Sequence, residues 1–365
     1  MHAANFEQSI SEHELRVVQT LYKVPANQVK SKMEKSQATR QFKFWHMLEA
    51  QWGTSKSRSH IMKPQEGQPR RPSRKPQGQE PSGAATTIVA ARVRTWPGGI
   101  GNSLAREFYS KGYRVFATAR SKDHLVDLAE LSIEVFALDV TSPSDIQDIK
   151  ADISERTGGS LDILVNNAGF ACTMPALDLD FTMVQQTFET NLFAVMRMVQ
   201  AFASLLIQAK GTIVNIGSIA AVMPYTFGSS YNASKAALHS YSDTLRVELS
   251  PFNVKVVVVV TGGVLSRLTL NKRDLPPDSI YLPISSDFRD RQGNSQRAGM
   301  PNDVYARKVV DELITPHPPK WLWKGTMATR VWFLSSFFPK GIWDFLLSKR
   351  WGIDKMAALW KKRLA

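Results

Sequence analysis

From Thr86 onward, short apolar, β-branched runs alternate with longer stretches whose apolar positions recur every three or four residues. Strands are expected at "TTIVAARV" from Thr86, then at 114–119, 133–140, 161–169, 211–218 and 254–263. Helices are expected over Asn102–Lys111, Ser144–Thr157, Phe181–Ala209 and Ser229–Ser250. Several of the strand runs are apolar almost throughout, as strands covered on both faces are. Such alternation implies an α/β fold, a doubly wound parallel sheet with helices on both faces. Ligands of these folds lie beyond the carboxyl ends of the strands. The chain's unusual residues gather there: "GGIG" after the first run, Arg120 after the second, Asp139, "NNAG", Ser218 and "TGG".

The flanks break this pattern. Within 1–50 one helix is expected, where Ser11 and Glu14 form a capping box and Leu15, Val18 and Tyr22 share a face. Residues 51–85 are rich in Pro, Gln, Gly, Ser and Lys/Arg and read as a disordered linker. The domain plan is therefore a partly helical leader over 1–50, a linker over 51–85, an α/β domain over 86–317 and a tail over 318–365.

Charge sharpens the plan. Of the net +14, residues 1–85 carry +7 and 318–365 carry +8, which leaves the middle at −1. A neutral body with basic ends argues against a folded nucleic-acid reader and for an anionic surface such as a membrane. Cys172 is the single cysteine, so no internal disulfide forms, and a reducing compartment is the simpler reading. The first thirty residues hold no signal-peptide core. The histidines form no ligand-spaced group, so no metal site is expected, and His239 reads as a packed helix residue.

Tyr231 and Lys235, in "YNASK", are four apart on a helix and share a face. A phenol with a pKa near 10 is a poor acid–base group at neutral pH, and a neighbouring ammonium favours the phenolate. Ser218 ends a strand just before this helix, close enough in sequence to reach the same crevice. Tyr231 can then protonate a carbonyl oxygen that Ser218 holds. Asn191, in "TNLFAV", reads either as part of the proton path or as a polar residue that kinks its helix.

Taken together, "GGIG" at 98–101, "LDV" at 138–140, "NNAG" at 166–169, Asn191, Ser218, "YNASK" at 231–235 and "TGGVLS" at 261–266 resemble the short-chain dehydrogenase/reductases over residues 98–266. The resemblance implies a Rossmann-type fold, a nicotinamide cofactor and a catalytic tetrad of Asn191, Ser218, Tyr231 and Lys235. It further implies cofactor contacts by Gly99, Ile100, Gly101, Arg120, Asp139, Val140, Asn167, Ala168, Gly169, Tyr231, Lys235, Val264 and Ser266. "TGG" stands where much of the family has Pro-Gly. The end of the second strand, "ATARSK", carries Arg120 and Lys122 and no acid, which favours NADPH over NADH.

The tail holds six tryptophans among ten basic residues, and its apolar run is broken by Pro339, Lys340 and Asp344. It reads as an amphipathic, membrane-interface segment rather than a transmembrane helix, with a helix pair packed on the body or on a second copy as the alternative. Residues 98–350 are similar to the fungal 1-acyldihydroxyacetone-phosphate reductases. That similarity implies a lipid-ketone substrate and a place on endoplasmic reticulum membrane and lipid droplets, facing the cytosol. Leu265–Pro301 is expected to cover the substrate, with Arg267, Lys272 or Arg273 at a phosphate. Other hydrophobic carbonyls, and a non-catalytic lipid-droplet or cofactor-binding role, are the alternatives.

The stretch "RTWPGGIGNS" carries the one conflict. Gly99 and Gly101 match the last two glycines of a nucleotide turn, while Arg94 and Thr95 stand where the first glycine belongs. Either this loop has diverged or residues 1–97 are joined to the wrong reading.

Overall fold

The computed structural model describes residues 86–90, 99–266 and 272–364. The expected leader helix, the linker and the segment Arg94–Gly98 lie outside these residues, as does Arg267. The compact unit is Ala84–Ser336 with Lys340–Ala365.

Among the described residues seven strands form one sheet: β1 (Thr86–Ala90), β2 (Arg114–Ala119), β3 (Glu134–Ala137), β4 (Ile163–Asn166), β5 (Thr212–Ile216), β6 (Lys255–Thr261) and β7 (Trp321–Lys324). Their order is β3-β2-β1-β4-β5-β6-β7, and every pairing is parallel. This is the expected Rossmann-type fold. All strands end on one edge, and the chain changes direction across the sheet between β1 and β4, where such folds open a ligand crevice. The first six strands match the six expected runs. β7 falls beyond the boundary drawn at 317, because "WLWK" pairs with Val258–Thr261 of β6. A four-residue edge strand among basic and aromatic residues shows no pattern that separates it from a tail.

Alternate strand residues serve two cores, as the pleat demands. Phe116, Leu164 and Ile213 pack on one face. Val115, Ala117, Val165 and Val214 pack on the other. The first core is closed by α3 (Pro143–Thr157) and α5 (Ala194–Ala209), reached after α1 (Ile100–Ser110), α2 (Val126–Ala129) and α4 (Phe181–Phe188). The second is closed by α1 and, past α6 (Ser229–Glu248) and α7 (Ser285–Ala298), by α8 (Asn302–Leu313). Local signals set the ends: the Ser142 hydroxyl accepts the Asp145 N–H before Pro143, and Gly158, at φ 62°, stops α3 in the left-handed region.

The long helix expected over Phe181–Ala209 is broken by a π-turn, Glu189–Phe193, centred on Asn191. By length and composition this stretch is apolar enough to cross a membrane. In the fold it is a core helix, with Phe202 and Leu206 at zero exposure against the sheet.

After β7 come α9 (Ala328–Phe337), α10 (Gly341–Arg350) and α11 (Ile353–Leu364). The tail is helical, and much of its apolar surface is used within the chain. Val331, Leu334, Trp343 and Trp351 are buried, leaving Trp332, Leu359 and Trp360 exposed.

Candidate active site

The site is built on the carboxyl edge of β4, β5 and β6. Ser218 follows β5, where its backbone N–H donates to His239 Nε2 at 3.3 Å and its hydroxyl accepts the Ala220 N–H at 3.1 Å. His239 sits on α6 with its ring edge-on to Trp321 at 5.1 Å, and burial first, then Lys235, pushes its pKa down to about 3. It is a neutral acceptor that fixes Ser218. This agrees with its reading as a packed residue and adds a job for it.

Tyr231 lies in the first turn of α6, and its hydroxyl faces the Ser218 side chain. Burial raises the Tyr231 pKa, while the Ser218 side chain and the Arg291 charge oppose that rise. Lys235, one turn on, is 4% exposed; its Nζ donates to Ile216 O at 2.7 Å and lies 6.0 Å from the Tyr231 ring. Burial lowers its pKa to about 8, leaving the ammonium poised near the working range. The three residues expected to act together are therefore brought together.

Asn191 arrives by another route. It is fully buried at the π-turn; its Oδ1 accepts the Phe170 N–H at 2.7 Å, and its Nδ2 donates to Phe170 O and to Ser234 Oγ, each at 2.9 Å. Ser234 in turn donates to Tyr231 O at 2.8 Å. Asn191 thus ties the "NNAG" loop to the helix that carries Tyr231, and its own helix is distorted at that point, as the kinking reading expects. Beneath it, Asn166 donates to Asn215 and Asn215 to Ser242, each at 2.9 Å, a buried polar ladder linking β4, β5 and α6.

The expected cofactor residues line the same edge. Gly99 caps α1 with no side-chain bond to its first amides, and the space where a Cβ would stand is open. Arg120 and Lys122 are exposed after β2. Asp139 accepts the Thr141 N–H and hydroxyl at 2.9 and 2.7 Å, and Val140 is buried beside it. Asn167, Ala168 and Gly169 follow β4. Val264 bridges Met300, and Ser266 O accepts from Gln296. Within "TGG", position 262 admits only glycine: a Cβ there would stand 2.2 Å from Thr326 O, at the turn after β7. Lys272 and Arg273 are exposed, and Arg273 meets Met183 Sδ at 3.3 Å rather than the centre.

Two facing hydroxyls, with a buried ammonium close by, can hold a carbonyl oxygen and pass it a proton. The family described as short chain dehydrogenase matches residues 93–276. The Hypocrea virens "Short-chain dehydrogenase virD" is 43% identical over 261 residues, covering 71% of this chain and 91% of that one. The chain belongs to the short-chain dehydrogenase family. It is an oxidoreductase of that family. The Saccharomyces cerevisiae "NADPH-dependent 1-acyldihydroxyacetone phosphate reductase" is 38% identical over 267 residues, covering 71% of this chain and 90% of that one. A short-chain dehydrogenase structure from Streptomyces avermitilis aligns with a TM-score of 0.61 at 25% identity, over 76% of this chain and 99% of that one. One from Burkholderia cenocepacia, in complex with NADP, aligns at 0.56 and 22% identity over 72% and 98%, which bears on the fold alone.

Two residues beside the centre escaped the sequence reading. Arg291 and Trp351 both pack on Tyr225, one from α7 and one from the tail. Neither stands in a motif; the only signals were an arginine in an otherwise polar helix and a tryptophan in a tail already explained by its composition.

Proposed function

We propose that this chain reduces a lipid ketone to a secondary alcohol with NADPH, most specifically 1-acyldihydroxyacetone phosphate to 1-acylglycerol 3-phosphate. The observation that carries the reading is the Ser218–Tyr231 hydroxyl pair beside buried Lys235. The yeast relative's name supplies the substrate and cofactor as candidates for this chain. The residues fit the cofactor: the uncapped start of α1 and the open space over Gly99 suit phosphates, and exposed Arg120 suits a 2′-phosphate. When bound, NADPH supplies the hydride that reaches the carbonyl carbon.

The chain's own residues do the rest. The Ser218 hydroxyl holds the carbonyl oxygen, and the Tyr231 hydroxyl gives it a proton. Lys235 stabilises the phenolate left behind and holds the cofactor ribose, while Asn191 keeps the loop and α6 in register. For the membrane, a candidate surface among the described residues is α11, where Leu359 and Trp360 are exposed beside Lys361 and Lys362. Endoplasmic reticulum and lipid droplet surfaces are the proposed location.

A second reading, reduction of another hydrophobic carbonyl, is favoured by relatives at 43% identity whose names state only the family. NADPH oxidation by the purified chain separates the two. Faster turnover of 1-acyldihydroxyacetone phosphate than of neutral steroid-like or polyketide-like ketones supports the first. The reverse order refutes it.

A further inference from the structure

Arg291 is a buried cation without a counter-charge. It is 5% exposed, and its Nε donates to Thr226 O at 2.9 Å. Its guanidinium carbon lies 3.4 Å from the Tyr225 ring centroid and 6.0 Å from the Trp351 ring. Among the described residues its Nη nitrogens have no hydrogen-bond partner, and no carboxylate pairs with it. A charge held this way is costly unless something completes it.

Its position makes the imbalance worse. Nη2 lies 3.4 Å from the point where a Cβ on Gly228 would stand, and Gly228 is the N-cap of the 20-residue helix α6. Helix N-termini repel cations and attract anions. No side chain caps this one, and within its first turn the Ser230 hydroxyl is buried with no partner. Asn232 Oδ1, buried without a partner, and Tyr225 O each stand 3.1 Å from the same Gly228 point, but neither oxygen carries a formal negative charge. Tyr231, the proton donor proposed above, is in the same turn.

We infer that Arg291, the uncapped first turn of α6 and the Ser230 hydroxyl form an anion subsite that takes the phosphate monoester group of the ketone substrate. This rests on the reductase reading and narrows it to ketones with an acidic group close to the carbonyl. A guanidinium presents paired donors to phosphate oxygens, so the same contact both neutralises Arg291 and orients the carbonyl toward Tyr231. Lys272 and Arg273 are not needed, and their exposure is that of ordinary loop cations.

Calorimetry on the full chain, with saturating NADPH and without it, tests this with decyl phosphate, decanol and inorganic phosphate. Wild type is expected to bind decyl phosphate at least tenfold more tightly than decanol, with inorganic phosphate competing weakly. Arg291→Gln is expected to cut that ratio to about two or less, and Arg291→Lys to cut it about threefold. No preference for decyl phosphate in wild type overturns the subsite, as does a preference that survives in both variants. If Arg291→Gln does not fold, Arg291→Lys alone decides. A chain that shows the preference yet leaves 1-acyldihydroxyacetone phosphate unreduced refutes the named substrate and keeps the subsite.

Discussion

Gly217 stands so close to His239 that a Cβ on it would lie 2.2 Å from Nε2, the atom that accepts the Ser218 N–H. The glycine lets α6 approach the end of β5, and that approach sets Ser218. Gly217→Ala is expected to destabilise the fold by roughly 1–3 kcal/mol and to displace the Ser218 hydroxyl. In a His239→Ala background the same change should cost clearly less in a urea melt. Equal costs in the two backgrounds would show that the contact does not limit packing.

The same histidine gives stability a pH dependence. Its folded pKa of about 3 lies below its unfolded value of 6.5, so the native chain binds fewer protons in between. The contribution is complete above pH 6.5 and is lost as pH falls toward 3. Lys235, lowered from 10.5 to about 8, acts likewise at higher pH, and stability regained between those values amounts to roughly 3 kcal/mol. His239→Leu should flatten the loss of urea midpoint between pH 6.5 and 4. An unchanged slope contradicts the assignment.

Turnover separates the proton donor from its support. Tyr231→Phe is expected to lower kcat by roughly 10³-fold or more, and Ser218→Ala by roughly 10²-fold. Ser218 also holds the Tyr231 pKa down, so Ser218→Ala should move the alkaline limb of ketone reduction upward. A limb that stays in place while kcat falls would limit Ser218 to binding the substrate oxygen.

The tail is part of the enzyme body. Trp351 is 4% exposed, and Gly352, at φ 74°, leaves no room for a Cβ, which would stand 2.7 Å from Asp287 Cγ. Trp351→Ala is expected to cost roughly 3–5 kcal/mol and to weaken substrate binding by loosening Arg291. Removing Pro319–Ala365 would take β7 with it and so cannot report membrane binding alone. Exchanging Leu359 and Trp360 for serine should release the chain from anionic vesicles with kcat intact. Retained binding moves the membrane contact elsewhere.

The sequence displayed the sheet because its central strands are apolar on both faces, a pattern that local context cannot hide. It displayed Ser218, Tyr231 and Lys235 because their order and spacing are fixed by one strand and one helix. Arg291 and Trp351 were invisible because their meaning comes from contacts across 66 and 126 residues to Tyr225, positions that no periodicity links. β7 was missed for a related reason: only pairing with β6 makes "WLWK" a strand. His239 was legible as buried, but its bond to Ser218 depends on the room Gly217 leaves.

NADPH binding decides whether this chain, with Arg94 and Thr95 before the glycine turn, works as a reductase. Fluorescence titration of the full chain with NADPH and NADH tests it most directly. Enhancement is expected at micromolar NADPH, with weaker NADH binding and a tenfold or greater loss for NADPH alone in Arg120→Glu. No NADPH binding at high micromolar concentration would contradict it.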